Sequence, residues 1–332
     1  MHFDATSREP SPQRELSHVD AIVNGRQVSV LDFLTALLHG RYSSDTITAE
    51  HGRRFVMGGI AALERAESVD AWAQWGIVPA RHAWPEVYGR LADLAEELLA
   101  DAVIDNFFFT HKPPALRVCC QTDPARRADL ARLLRARVTS WQRDGVVSHL
   151  TPGVYEPEQH LFGGAASMAH VHRLFTVDTL AWLAFLRTPA PGPSWAYSLV
   201  LLRSLMTGVG IVDREDLDVW ARIQRQTGRL RPGMDADKVD AVTAAVRTAW
   251  TDPHRADTRL SPAIAELADS YGARLGELAG RWREDYFQGG GATIGPREAV
   301  AFYTICHWNR GHLTMAVQSL VTAALADRMV RS

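Results

Sequence analysis

Near the C-terminus, the stretch AFYTICHWNRGH (residues 301–312) places a phenol, an imidazole and a guanidinium in mostly apolar surroundings. At about 100° per residue, Tyr303, His307, Arg310 and Thr314 share one narrow stripe of a helix. Such groups are costly to bury without partners, so they form either a solvated face or the wall of a pocket. In a pocket they would supply hydrogen bonds and weak acid–base chemistry. Spacing alone leaves both interpretations open.

The composition limits the classes of protein and partner. The chain has 332 residues, a net charge of −2, an apolar fraction of 46% and three cysteines. This charge argues against nucleic acid or an anionic membrane as the main partner, and no apolar run reaches the roughly 18–20 residues that span a bilayer. The cysteines make neither a disulfide framework nor a CxxC metal pair. Without a signal-peptide pattern at its N-terminus, the sequence predicts a soluble cytoplasmic protein.

The pattern along the chain predicts an α+β fold that is mostly α. Aromatic and β-branched residues at 105–121, interrupted by Pro113-Pro114, indicate two strands, and 146–158 indicates a third. We therefore expect a small mixed or antiparallel sheet from residues about 105–158, packed with many helices. Helical spacing predicts these helices at 28–39, 53–67, 87–101, 123–145, 164–186, 194–210, 214–227, 236–250, 261–284 and 296–329.

Three stretches of this sequence resemble motifs of one known family, in the same order. ICHWNRGH (305–312) resembles the His-x-x-Asn-Arg signature of the elimination domain of lantibiotic dehydratases. NFFFTHKPPALRV (106–118) is similar to that family's Trp-Phe-Phe-x-Arg-Tyr…His-Leu-Arg-Leu-Arg strand pair, and residues 154–179 resemble its Tyr-x-Pro-Glu-x-x-Arg-Tyr-Gly-Gly…Phe-x-x-Asp-Ser segment. The resemblance implies an elimination-like catalytic domain at residues 86–332. Residues 1–85 would then form a helical N-terminal extension that contacts a leader peptide.

The sequence departs from the family where arginines would grip the carboxylate of a glutamylated substrate. The second arginine of the family's strand motif falls on Cys119, and the Arg-Tyr of the glycine motif falls on Leu161 and Phe162. The Arg-Tyr of the first strand is replaced by Thr110 and His111. The residues that match the family's motifs are Arg117, Glu156, Glu158, Asp178, His307, Asn309 and Arg310.

This profile is most similar to the stand-alone pyridine synthases of thiopeptide biosynthesis, which share the Lys112-Pro113-Pro114 turn. The resemblance implies a formal [4+2] aza-cycloaddition that joins two dehydroalanines of an azole-containing precursor peptide, followed by loss of water and of the leader peptide. No cofactor, metal or covalent nucleophile is expected, and the partner would be the modified precursor with its leader. Two alternatives remain: a glutamate-eliminating subunit of a split dehydratase, and a non-catalytic scaffold that binds the precursor.

The candidate site residues follow from their chemistry and from the matched motifs. The candidate acid–base residues are Tyr303, His307, Tyr197, Ser198 and Tyr286. The candidate substrate-binding residues are Arg117, Arg310, Asn309, His111, Trp308 and Glu156, and Arg310 is expected to pair with Glu156 or Glu158. Arg53 and Arg54 are candidates for contact with an acidic leader peptide, although a solvated basic pair is the plainer interpretation.

Overall fold

The structure is a computed structural model that describes residues 20–23, 26–39, 51–52, 54–55, 58–59, 71–112, 115–227 and 236–327. The chain forms two compact units, residues 1–66 and 67–332. In the first unit, strands β1 (Asp20–Val23) and β2 (Arg26–Ser29) pair as an antiparallel hairpin that leads into helix α1 (Val30–Leu38). A helix over 28–39 was predicted here. It begins two residues later, because Ser29 ends β2 and caps α1 by accepting from the Asp32 backbone.

The second unit contains a four-stranded antiparallel sheet in the order β4-β5-β3-β6. The strands are β3 (Trp72–Pro79), β4 (Asn106–Lys112), β5 (Ala115–Gln121) and β6 (Val147–Gly153). The β4–β5 pair and β6 lie where the sequence predicts them. The sequence does not predict strand β3, whose residues fall in the expected helical extension, because Gly76 and Pro79 disfavour a strand and its partners lie far away in the sequence.

Helices make up most of the second unit, as predicted. A helix α2 (Trp84–Ala100) precedes β4, and α3 (Arg127–Arg143) joins β5 to β6. The remaining helices are α4 (Ala165–Arg187), α5 (Ser194–Val209), α6 (Asp216–Thr227), α7 (Ala236–Thr251), α8 (Pro253–Asp257), α9 (Pro262–Trp282), α10 (Pro296–Arg310) and α11 (Met315–Ala326). A π-helical turn, Arg283–Phe287, follows α9. In the described parts of the chain, no helix is long and apolar enough to cross a membrane.

Helix α4 is the centre of the core. Its residues are buried almost continuously from Met168 to Phe185, and it packs against α2, α9, α10 and strand β4. A helix that is apolar on all sides needs neighbours on all sides, and α4 has them. Because α10 and the β4–β5 face both rest on α4, this helix fixes the position of the residues that surround the site.

The C-terminal helix predicted at 296–329 is two helices. Helix α10 ends at Arg310, His312 adopts a left-handed backbone (φ 53°), and Thr314 caps α11 by accepting from the Val317 backbone. At Gly311 the chain passes directly over the ring of Trp182, where a Cβ atom would lie 2.4 Å from a ring carbon. Thr314 therefore does not extend the polar stripe of α10, because it starts a new helix.

We expect Gly311→Ala to destabilise the protein by about 1–3 kcal/mol, because a well-packed core tolerates an added methyl group poorly. Gly89→Ala is the matched control: Gly89 lies inside α2 with no atom within 4 Å of its missing Cβ, and alanine there should stabilise by up to about 1 kcal/mol. Urea unfolding of both variants measures the difference. Equal stabilities for the two variants would show that the Trp182 ring can move aside for the added methyl group with no loss of stability.

Candidate active site

A cavity of about 670 Å³ lies between the β4–β5 strand pair, the segment 154–161 and helix α10. Strand alternation explains one wall: Leu116, Val118 and Cys120 are buried on one side of β5, and Arg117 and Cys119 face the cavity on the other. The residues that line it are Gln74, Phe108, Thr110, His111, Lys112, Arg117, Cys119, Val154, Tyr155, Glu156, Pro157, Glu158, His160, Leu161, Phe175, Phe302, Ile305, Cys306, Asn309 and Arg310.

The structure brings five of the predicted substrate-binding residues to this cavity: Arg117, Arg310, Asn309, His111 and Glu156. Arg117, Asn309 and Glu156 are exposed, whereas Arg310 is only 1% exposed. The sixth, Trp308, is fully buried in the core, where its indole donates to Ser198 Oγ at 3.0 Å. Spacing could not show this, because both sides of α10 are covered by other helices.

His111 is held in one orientation by contacts on both ring nitrogens. Its Nε2 lies 2.8 Å from the Tyr88 hydroxyl, and its Nδ1 lies 2.9 Å from the Asn309 carbonyl oxygen. A carbonyl only accepts, so Nδ1 carries the hydrogen and Nε2 accepts from Tyr88. The ring also stacks on His312 at a centroid distance of 4.2 Å. Burial, together with nearby His312, lowers the pKa of His111 to about 4, so the imidazole is neutral near pH 7.

The other weak acids at the cavity are also held in their neutral forms. Burial raises the pKa of the Cys306 thiol to about 12 and raises the pKa of the Cys119 thiol as well. Burial likewise raises the pKa of Tyr155, whose hydroxyl lies 2.8 Å from Nε2 of His172. For His172, burial lowers the pKa to about 3. The cavity therefore presents a phenol backed by a neutral imidazole, a pair that sequence patterns did not single out.

A buried carboxylate, Asp178 of α4, organises the polar stripe of α10. Its Oδ1 lies 2.6 Å from His307 Nδ1, and its Oδ2 accepts from Arg310 Nε at 2.6 Å. On the far side of the imidazole, Nε2 lies 2.9 Å from Ser198 Oγ. Burial alone would raise the pKa of Asp178, but His307 and Arg310 outweigh it and hold this pKa below its ordinary value. Arg310 thus pairs with Asp178, and the expected pairing with Glu156 or Glu158 is wrong.

Ser198, His307 and Asp178 are bonded in the order used by serine hydrolases, yet all three are at most 1% exposed and none lines the cavity. Trp182 lies close beside them, with its indole nitrogen 3.1 Å from His307 Nδ1. Only Arg310, at the end of the chain of bonds, reaches the cavity wall. The arrangement is therefore suited to fixing the Arg310 guanidinium, which also lies 4.1 Å from the Phe175 ring centroid.

The three predicted tyrosines do not line the cavity. Tyr303 is buried between Phe175 and Arg310, and its hydroxyl is 3.4 Å from the Leu174 carbonyl. The Tyr197 hydroxyl donates to the Ala181 carbonyl at 2.9 Å. Tyr286 donates to the Gly163 carbonyl at 3.0 Å and anchors the glycine turn before α4. Each phenol therefore has a partner in the protein and no surface toward the cavity.

Asp178 was the most important residue that the sequence did not place in the site. Asp178 matches the aspartate of the family motif Phe-x-x-Asp, but the sequence does not show that its side chain is buried in the middle of α4.

Of the predicted leader contacts, Arg53 lies outside the described residues, and Arg54 is exposed in the first unit. Within the described parts of the chain, no group of three His, Cys, Asp or Glu side chains could hold a metal ion.

Asp178→Asn should destabilise the protein by about 3–5 kcal/mol, because it leaves the buried Arg310 charge uncompensated. The pKa of Asp178 is lowered in the folded state, so its contribution is present above the unfolded pKa of about 3.9 and is lost as the pH falls through the folded value. Unfolding by urea at pH 7 and at pH 3 measures both effects. Asp93→Asn, which removes a 3.6 Å pair between exposed groups, should cost less than about 1 kcal/mol.

His111→Gln should flatten the dependence of stability on pH between about 6.5 and 4. The folded pKa of His111 is about 4, below the unfolded value of about 6.5, so unfolded chains bind the proton first and stability falls as the pH falls through this window. Denaturation midpoints at pH 7 and 5 give the slope. His149→Gln, at an exposed position of β6, is the control, and a wild-type slope in His111→Gln would contradict this assignment.

Comparisons with known proteins identify a family and a similar fold. The family described as lantibiotic biosynthesis dehydratase C-term matches residues 77–330. The fold is similar to the crystal structure of the tRNA dependent lantibiotic dehydratase MibB from Microbispora sp. 107891, with a TM-score of 0.59 and 16% identity. That similarity covers 79% of this chain and 28% of MibB, so the chain spans less than a third of that protein's length. No curated protein matches the sequence.

The matched region contains the whole four-stranded sheet except the first residues of β3, and it also contains Asp178 and the polar stripe of α10. The cavity walls thus lie almost entirely within it. The chain therefore belongs to the lantibiotic biosynthesis dehydratase C-term family.

Proposed function

We propose that this protein is a thiopeptide pyridine synthase that carries out a formal [4+2] aza-cycloaddition in the cavity. One dehydroalanine reacts as a 2-azadiene in the iminol form of its amide, and a second dehydroalanine supplies the alkene. Two C–C bonds, one from each end of the azadiene to the alkene of the second dehydroalanine, close the six-membered ring that already contains the amide nitrogen. Loss of water and elimination of the leader peptide then give the pyridine, so no external oxidant is needed.

The observation that carries this proposal is the composition of one cavity wall. Thr110, Cys119 and Leu161 stand where the family motifs have carboxylate-gripping arginines, and all three line the same cavity. Arg117, Glu156 and Glu158, which match the family's motifs, line it too, so the three replacements are what distinguish this wall. A site with this wall is better suited to a neutral substrate than to a glutamylated one.

The neutral groups of the cavity suit an amide-to-iminol conversion. Tyr155 can accept the amide N–H while passing its own proton to neutral His172, whose Nε2 is 2.8 Å away. Arg310, fixed by Asp178, can donate a hydrogen bond to the amide oxygen; its Nη2 is buried and has no hydrogen-bond partner among the described residues. The proton taken up by His172 is returned to this oxygen before the oxygen leaves as water. Acid–base assistance of this kind typically contributes about 10²–10⁴-fold. Holding the two dehydroalanines together can contribute about 7–11 kcal/mol more.

In this proposal the buried candidates act through Arg310. His307, Ser198 and Tyr303 are positioning residues, because they surround Asp178 and the guanidinium without lining the cavity. Tyr197 and Tyr286 support α4 from either end. The catalytic groups proposed to touch substrate are Tyr155 and Arg310.

The test is mass spectrometry of the purified protein with a precursor whose azoles and dehydroalanines are already installed. We expect a macrocycle lighter by one water and a released leader peptide. Tyr155→Phe should lower the rate at least about 100-fold, because the hydroxyl that moves the proton is gone. Tyr271→Phe, a half-buried phenol on α9 outside the cavity, is the matched control.

Two other results would overturn the proposal. Glutamate loss from a glutamylated precursor, with the dehydrated peptide unchanged, would identify a split dehydratase subunit. Binding of the precursor without change in either substrate would identify a scaffold. A normal rate for Tyr155→Phe alongside pyridine formation would retain the reaction and reject the assignment of Tyr155.

A further inference from the structure

A second cavity, of about 480 Å³, opens beside the first. Its lining is mostly polar and includes the side chains of Asn106, Gln121, Gln159 and His172. Pro157 lines both cavities. The Tyr155–His172 hydrogen bond joins a wall residue of the first cavity to a wall residue of the second. The two cavities are therefore neighbours separated by a single layer of side chains.

Strand alternation shows that both cavities lie on one face of the β4–β5 pair. On β4, Asn106 lines the second cavity, and Phe108 and Thr110 line the first. These positions differ by two residues, so their side chains share a face. Antiparallel pairing places Gln121 opposite Asn106 at the second cavity. At about 3.4 Å per residue, the distance from Asn106 to Thr110 is about 14 Å, the length of four extended residues.

At the first cavity, residues of β5 lie on this same face, beside their partners on β4. Cys119 is paired with Phe108, and Arg117 with Thr110. The two cavities thus follow one another along the strands rather than lying on opposite sides of the sheet. An extended peptide that lies along this face can reach both.

The layer between the cavities is aromatic and contains one unsatisfied donor. Trp72 packs with its ring centroid 4.6 Å from Tyr155, 4.5 Å from His172 and 5.4 Å from Phe108. Its side chain is buried, and its indole N–H has no hydrogen-bond partner among the described residues.

The side chains of the second cavity identify the chemistry of its ligand. Three side-chain amides line it, and Asn106 Nδ2 donates to Gln121 Oε1 at 2.7 Å. Amides both donate and accept, which matches peptide groups and azole nitrogens. The two charged side chains, Asp105 and Arg173, have opposite signs and are exposed. The lining therefore favours an uncharged peptide segment over a phosphate or a carboxylate.

We propose that the second cavity is a subsite for the segment of the precursor peptide adjacent to the reacting residues, which runs along the β4–β5 face from one cavity to the other. The identity of the peptide rests on the proposed function; the existence of the subsite rests on the geometry of the two cavities. Residues that never react would then contribute binding free energy and hold the reacting residues beside Tyr155.

The test measures binding with a peptide that cannot react. The probe is a fluorescently labelled linear precursor with its azoles installed and alanine at the two reacting positions; anisotropy gives its dissociation constant. We expect Gln121→Leu to bind about five- to tenfold more weakly, because one to two hydrogen bonds to the peptide are lost. Gln142→Leu on α3, which lines neither cavity, is the matched control and should bind as wild type does.

Shortened peptides show whether the effect comes from the subsite. Removing five residues from one side of the reacting positions should weaken binding to wild type and abolish the difference between wild type and Gln121→Leu, as in a double-mutant cycle. Ala169→Phe, which fills the second cavity from the exposed side of α4, should behave like Gln121→Leu and serves if that variant folds poorly. Equal affinities of wild type and both variants for the full peptide would overturn the subsite.

The dissociation constant tests the subsite independently of whether the proposed reaction occurs. A loss of affinity in Gln121→Leu without any pyridine product would support the subsite and reject the cycloaddition. Pyridine formation with unchanged affinities in both variants would support the cycloaddition and reject the subsite.

Discussion

The site depends on one buried carboxylate. Asp178 lies at 0% exposure in the middle of α4 and binds two groups of α10, His307 and Arg310. A carboxylate in such a place is tolerated only when it is paired and hydrogen-bonded, so α10 cannot rotate or slide along α4 without exposing a charge to an apolar core. This one set of bonds fixes the guanidinium of Arg310 at the cavity wall. It also explains why polar residues recur along an otherwise apolar helix.

Around this anchor, the cavity combines rigid walls with weak acids and bases. The sheet face is fixed by antiparallel register, and His111 is held at both ring nitrogens. Burial keeps its imidazole, the two thiols and the Tyr155 phenol neutral. Thr110, Cys119 and Leu161 offer no positive charge to a carboxylate, and the neutral donors and acceptors of the cavity can position amides. The proposed cycloaddition requires little more than positioning and modest proton transfer.

Sequence patterns predicted the strands and helices around the site better than they predicted which side chains line the cavity. Alternation along β5 placed Arg117 on the cavity side, and the three matched motifs identified the family. Strand β3 was missed, because its pairing is non-local and Gly76 interrupts its pattern. Helical spacing grouped Tyr303, His307 and Arg310, but it could not show that only Arg310 reaches the cavity. Burial depends on what packs against a helix, and that information lies in α4, more than a hundred residues away.

The same limit applies to Tyr155 and His172. They are seventeen residues apart, one on an irregular segment and one on α4, and no periodicity joins them. Their 2.8 Å contact arises because the segment 154–161 folds back over the sheet face. Tertiary packing therefore creates the pair to which we assign the proton transfer.

The most direct measurement of the central claim is a structure of the protein bound to the linear, azole-containing precursor with alanine at the two reacting positions. The account predicts that both positions lie in the larger cavity, with an amide of one within hydrogen-bond distance of the Tyr155 hydroxyl and Arg310. A peptide bound elsewhere, or one whose reacting positions lie apart from each other and from Tyr155, would contradict it.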